Sequence, residues 1–109
     1  MRERTVEAYL KFRVEQTHGI IRKAQWTGRA GCPDRWCGWP AHQRTAWVEL
    51  KGKGGELSPH QVREIQRLLE CGERVEVLSS FGEIDAFIEA ITSRPAYDAQ
   101  RHADMHAGL

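Results

Sequence analysis

The sequence predicts an α/β domain: a mixed central sheet flanked by helices, in the order α-β-β-β-α-β-α. Three observations carry this. Stretches 3–17 and 82–91 repeat apolar residues every three or four positions, as amphipathic helices do. Short runs rich in Val, Ile and Trp lie between breaks, and "TAWVELK" alternates apolar and polar side chains cleanly. A glycine-rich loop, "GKGGELSP", leads into a third amphipathic stretch and then "VEVL", a helical crossover to a strand that can lie parallel to its neighbour.

The elements follow in order. Val6, Leu10 and Val14, with Tyr9 beside them, give the first helix its apolar stripe, and Gly19 closes it. Ile20 onward to Trp26 reads as a first strand, broken by Gly28, Gly31 and Pro33. Asp34 to Trp39 and Thr45 to Lys51 read as two strands joined by a hairpin-length connection. Ser58 is an N-cap with Pro59 at the first helical position; Val62, Ile65, Leu68 and Leu69 form the expected inward stripe, and Gly72 the stop. Ile84, Phe87, Ile88 and Ile91 mark the last helix. Residues 1–92 are expected to form one domain, and the polar, aperiodic residues 93–109 a flexible tail.

Composition narrows the functional classes. A chain of 109 residues, 40% hydrophobic and 28% charged, holds one core. No apolar run approaches a membrane span, and the charged N-terminus lacks a leader's apolar centre, so a cytoplasmic location and no membrane partner are expected. Three cysteines do not make a disulfide framework. Residues 1–53 hold eleven Lys/Arg against five Asp/Glu, whereas 54–109 hold five against ten. The basic half offers a footing for a polyanion, although opposite charges could equally meet across the fold.

The chemistry gathers on "TAWVELKG". Alternation sets Trp47, Glu49 and Lys51 on one face and Ala46, Val48 and Leu50 on the other. A hairpin returning beside Asp34 brings that acid and Glu49 to one end of the sheet, with Lys51 adjacent. Two close carboxylates stay ionised only around positive charge, and Mg²⁺ (or Mn²⁺) fits that need. A lysine beside them can orient or deprotonate an attacking water, so metal-assisted phosphodiester hydrolysis is the expected reaction. The competing reading of Glu49 and Lys51 is an ion pair on an exposed strand.

Pro33-Asp34, fourteen intervening residues and Glu49-Leu50-Lys51 resemble the PD-(D/E)XK nuclease signature. With the acidic first helix, "GRAGCPDR" and "WVELKGKGGELSPHQ", residues 3 to 91 resemble the VRR-NUC branch, whose stand-alone members are small phage and bacterial proteins. The resemblance implies a restriction-endonuclease-like core and a divalent-metal DNA nuclease. It assigns metal binding to Asp34, Glu49, the Leu50 carbonyl and Glu7, and catalysis to Asp34, Glu49, Lys51 and Gln61. It also implies a Holliday-junction-resolvase-like homodimer acting on branched DNA. Glu3 is the weaker claimant to the first-helix acid, being favoured in a first turn on dipole grounds alone.

Other readings stand beside these. Gln61 completes an S-x-x-Q capping box with Ser58, and Glu7 can be solvated helix surface. Lys23, Arg29, Arg35 and Lys53 are the expected DNA-phosphate contacts, flanking the acids as a group. The tryptophans are expected to pack in a core or interface, with stacking on unpaired bases the alternative. Cys32, Cys37 and His42 suggest part of a zinc site, but neither Cys71, His18 nor His60 completes its paired spacing. The same fold can also serve as a non-catalytic DNA-binding or assembly module, or as a flap, nick or single-strand nuclease working with a repair or replication partner.

Overall fold

The computed structural model describes residues 2–93. The tail expected over 93–109 lies outside the described residues, apart from Ser93, which caps the last helix. Three helices and four strands run α1 (Glu3–Gln16), β1 (Ile20–Lys23), β2 (Arg35–Trp39), β3 (Arg44–Leu50), α2 (Pro59–Glu70), β4 (Val75–Leu78) and α3 (Phe81–Thr92), the expected order. A 3-10 turn, Pro40–His42, connects β2 to β3. The strands lie in the order β1-β2-β3-β4, antiparallel except for the parallel pair β3–β4 that α2 connects.

The register sorts the side chains. Trp36 pairs with Trp47 and Cys37 with Ala46, so each strand presents an apolar row to one face. Val6, Leu10 and Val14 of α1 and Ile84, Phe87, Ile88 and Ile91 of α3 bury against Cys37, Trp39, Ala46, Val48, Leu50 and Leu78. Each fully buried Leu or Ile contributes roughly 1.5–3 kcal/mol, so this layer carries most of the stability. Trp39 meets Phe87 edge-on at 5.7 Å, and its indole N–H donates to Thr17 Oγ1 at 3.0 Å. The core thus takes Trp39 with its polar edge satisfied.

Two expectations are corrected. The first strand ends at Lys23, and one further bond, Ala24 N–H to the Asp34 carbonyl, prolongs the pairing. Trp26 leaves the sheet, donates to the Pro33 carbonyl at 2.8 Å and leans on Trp47 at 5.0 Å. The apolar stripe of α2 is mostly outside: only Ile65 is buried, while Val62 and Leu69 are 48% and 51% exposed. Helix α2 lies on the sheet face away from the main core, and the segment carrying Trp26 occupies part of that face.

Polar bonds therefore place α2. Ser58 and Gln61 form the reciprocal capping box, and Gly72 at φ 88° ends the helix, its N–H on Leu69 and that of Glu73 on Leu68. Gly31, at φ 87°, lies so close to the helix start that a Cβ would sit 2.7 Å from the His60 carbonyl carbon and oxygen. Gly72 has the same handedness but open space around it.

That contrast is measurable. Gly72→Ala should cost only the backbone strain, about 1 kcal/mol, whereas Gly31→Ala should cost about 2 kcal/mol or more by pushing α2 away. Equal shifts in urea midpoint would show that Gly31 does not set this contact. At α3, the Ser80 hydroxyl accepts from the Glu83 N–H, and the Glu83 carboxylate accepts from the Ser79 N–H and hydroxyl. These bonds hold the Glu83 carboxyl below its usual range. A depressed folded-state value gives stability that is present above the unfolded value of about 4.3 and is lost as pH falls through the folded one. The stability difference between the native chain and Glu83→Gln should therefore shrink on acidification, as read by thermal melts across that range.

Candidate active site

Asp34, Glu49, Lys51 and Gln61 come together at one end of the sheet by three separate devices. The register that pairs Arg35 with Val48, continued by one step, sets Asp34 opposite Glu49. Lys51 follows β3, its N–H on the Leu78 carbonyl, and alternation places it on the face of Glu49. The Gly52 turn, closed by the Gly55 N–H, folds the loop back over Lys51. Gln61 arrives from α2.

Gln61 acts in two directions at once. Its Oε1 accepts from the Ser58 N–H at 2.8 Å, and its Nε2 donates to Glu49 Oε1 at 2.6 Å. The capping box is present, and the capped amide also holds the Glu49 carboxylate: the cap fixes the amide, and the amide fixes the carboxylate. Glu49 is 8% exposed, and burial, followed by the charge of Asp34, pushes its carboxyl up to about 7 against the pull of Lys51.

The first helix contributes two acids with different partners. Glu3 raises the Glu49 carboxyl further through its charge. Glu7, one turn on, pairs with Arg35 at 2.8 Å. The sequence favoured Glu7 as the acid of this helix; the structure ties Glu7 to an arginine and lets the charge of Glu3 reach Glu49. Arg35 also holds Asp34 at 2.6 Å, and its side chain is 11% exposed. Its guanidinium therefore lies within the carboxylate cluster, where a sequence reading expected an outward phosphate contact.

The other expected phosphate contacts are more dispersed. Lys23 and Lys53 are exposed, Lys23 at the end of β1 and Lys53 in the glycine loop. Arg29 is ion-paired with Glu64, which also binds Arg67 and accepts from the Cys32 thiol. Lys23, Arg29, Trp26 and Asp34 share the lining of a cleft of about 690 Å³ beside the acids. The Arg29–Glu64 link is what sequence reasoning missed, since thirty-five residues separate the partners and no spacing rule joins them.

The donor set suits a hard divalent cation. Asp34 and Glu49 offer carboxylate oxygens, and Leu50, with its side chain in the core, can offer only its backbone carbonyl. A cation between the acids would oppose the burial and the Asp34 charge that raise the Glu49 carboxyl to about 7. Among the described residues, no group of three or more His, Cys, Asp or Glu is placed to cage a metal. Two carboxylates with water and phosphate oxygens to complete the shell is the arrangement Mg²⁺ favours. Among the described residues the three cysteines are dispersed: Cys37 is buried in the core and its thiol pushed up to about 12, Cys32 faces Glu64 and Cys71 is exposed.

Known proteins share this arrangement of sequence and fold. The VRR-NUC domain profile matches residues 2–82. The protein p44 of Acyrthosiphon pisum secondary endosymbiont phage 1, whose name assigns it provisionally as a nuclease, is 38% identical over 80 residues, covering 73% of this chain and 85% of its own. A solved structure described as a VRR_NUC domain superposes with a TM-score of 0.74 at 36% identity, over 80% of this chain and 94% of that one. No helix among the described residues is long and apolar enough to cross a membrane. With the profile spanning every element from α1 to the start of α3, the chain belongs to the VRR-NUC domain family.

Proposed function

We propose that this chain is a divalent-metal-dependent endonuclease that hydrolyses phosphodiester bonds in branched DNA, acting as a homodimer in the manner of a Holliday-junction resolvase. One observation carries the hydrolytic reading: Asp34 stands opposite Glu49 at the sheet end, with Lys51 on the face of Glu49 and Gln61 bonded to it. Residues 1–92 make up the nuclease unit. Paired cuts at a junction call for two sites related by a two-fold axis, which a C2 dimer provides.

Asp34, Glu49 and the Leu50 carbonyl would hold Mg²⁺ or Mn²⁺. Bound there, the ion supplies Lewis-acid polarisation of the phosphate and a more acidic attacking water. Lys51 directs its ammonium toward the non-bridging phosphate oxygens and stabilises the charge that develops on them. Gln61 holds Glu49 Oε1 and so orients the carboxylate that would bind the cation. Water oxygen bonds to phosphorus and gives up a proton to the solvent, the bond to the leaving sugar oxygen breaks, and that oxygen takes a proton from the solvent in return. Phosphate contacts and strand shape, rather than base edges, set the substrate, because phosphate contacts position DNA without reading it.

Glu49→Gln, Asp34→Asn and Lys51→Ala should each reduce Mg²⁺-dependent cutting of a four-way junction by about 10²-fold or more, the scale of losing one electrostatic stabiliser. Undiminished cutting by any of the three would remove that residue from the mechanism. A second reading, a DNA-binding module whose acids form only an ion network, draws on the Glu7–Arg35–Asp34 bridge. Mn²⁺ titration by calorimetry separates the two. The nuclease should give a binding heat that Asp34→Asn abolishes, and an ion network should give none at millimolar metal.

A further inference from the structure

A second groove meets the cleft beside the acids at Lys23 and extends away from Asp34, Glu49, Lys51 and Gln61. It holds about 510 Å³ between α1 and β1 and is lined by Arg4, Lys11, Arg22, Lys23 and Arg35 over a floor of Ala8 and Ile21, with Glu7 the one carboxylate. That carboxylate is occupied by Arg35. Lys11 meets Glu15 only at 4.0 Å between two exposed side chains, a pair that water and salt readily screen. Arg22 spends one N–H on its neighbour's carbonyl, Ile21, and keeps its charge at the surface. The groove thus carries a large excess of accessible positive charge.

Its geometry is linear. Arg4 and Lys11 lie two helical turns apart on one face of α1, about 10 Å along the axis. Arg22 and Lys23 run along the facing edge strand. Lys23 lines both this groove and the cleft containing Asp34, and Arg35, which also lines the groove, touches Asp34 directly. A polyanion leaving the acids therefore passes Lys23 and continues between two rows of cations.

We infer that this α1/β1 groove is a binding track for the sugar-phosphate backbone of the DNA strand flanking the scissile phosphate, with Lys11 and Arg22 as phosphate-binding residues. The inference rests on the nuclease reading. It adds a substrate requirement: the DNA must extend beyond the cut on one side far enough to fill the groove. Arg4 and Lys11, which no motif marks, become part of the DNA interface.

The test is the double variant Lys11→Ala/Arg22→Ala, two exposed positions outside the acid cluster. Binding of a four-way junction and of a linear duplex is measured without metal over a series of salt concentrations. Turnover of junction DNA and of a small activated phosphodiester is measured with Mn²⁺. Removing two phosphate contacts per protomer should flatten the slope of log K against log salt by about 1.8 for each protomer engaged on the DNA, from roughly 0.9 per phosphate. Junction cutting at subsaturating enzyme should fall with the affinity, while the small diester, too short to reach the groove, should turn over as before. An unchanged salt slope with normal turnover of both substrates overturns the groove. An unsubstituted protein inert on both substrates overturns the nuclease reading instead, and a flattened slope in its double variant would still uphold the groove.

Discussion

The pairing of Arg35 with Val48 sends alternate residues of β2 and β3 to opposite faces, and every later feature of the molecule inherits that choice. With this register, Cys37, Ala46, Val48 and Leu50 enter the layer between the sheet and helices α1 and α3, while Trp36, Trp47 and Glu49 take the other face. A slip of one residue would drive a carboxylate into the apolar layer and release three core side chains to solvent. The core therefore enforces the register, and the register places Asp34 across from Glu49. Packing on one side of the sheet is what aligns the chemistry on the other.

The acids gathered there carry opposing demands that the surrounding residues partly settle. Burial raises the Glu49 carboxyl most, Asp34 and Glu3 add to it as like charges, and Lys51 and Arg35 oppose it. Arg35 meets two carboxylates at once, at 2.6 and 2.8 Å, and so serves as internal counter-charge to Asp34 and Glu7. Such a buried arginine contributes organisation more securely than stability, since desolvating it offsets much of what its ion pairs return. Its planar fork suits this bridging role in a way that a lysine's point charge would not.

Much of this was legible in one dimension. The helices at 3–17 and 82–91 announce themselves by periodicity, the Ser58–Gln61 box by its spacing, and the pair Glu49 and Lys51 by alternation. What was hidden depends on the third dimension. Arg35 reads as one more surface cation until the register turns it toward α1. Glu3 and Glu7 differ by a single helical turn, and only the folded chain shows Glu7 held by Arg35 while the charge of Glu3 acts on Glu49. The exposed faces of Val62 and Leu69 contradict a periodicity that looks like that of α3, because periodicity reports that a helix has an apolar side and not how much surface is available to cover it. Cys32 and Cys37, close in sequence, separate because one precedes the strand and the other points into its core.

Helix α2 buries a single side chain, Ile65, and otherwise rests on its cap, on the Arg29–Glu64 link and on the close approach of Gly31. Elements held by so little apolar contact open locally at a lower free energy than the core around them, and their amides exchange with solvent first. Gln61 sits on this element. Each excursion of α2 would withdraw the amide that holds Glu49, so the order of that carboxylate is tied to the breathing of one lightly anchored helix rather than to the rigidity of the sheet that bears it.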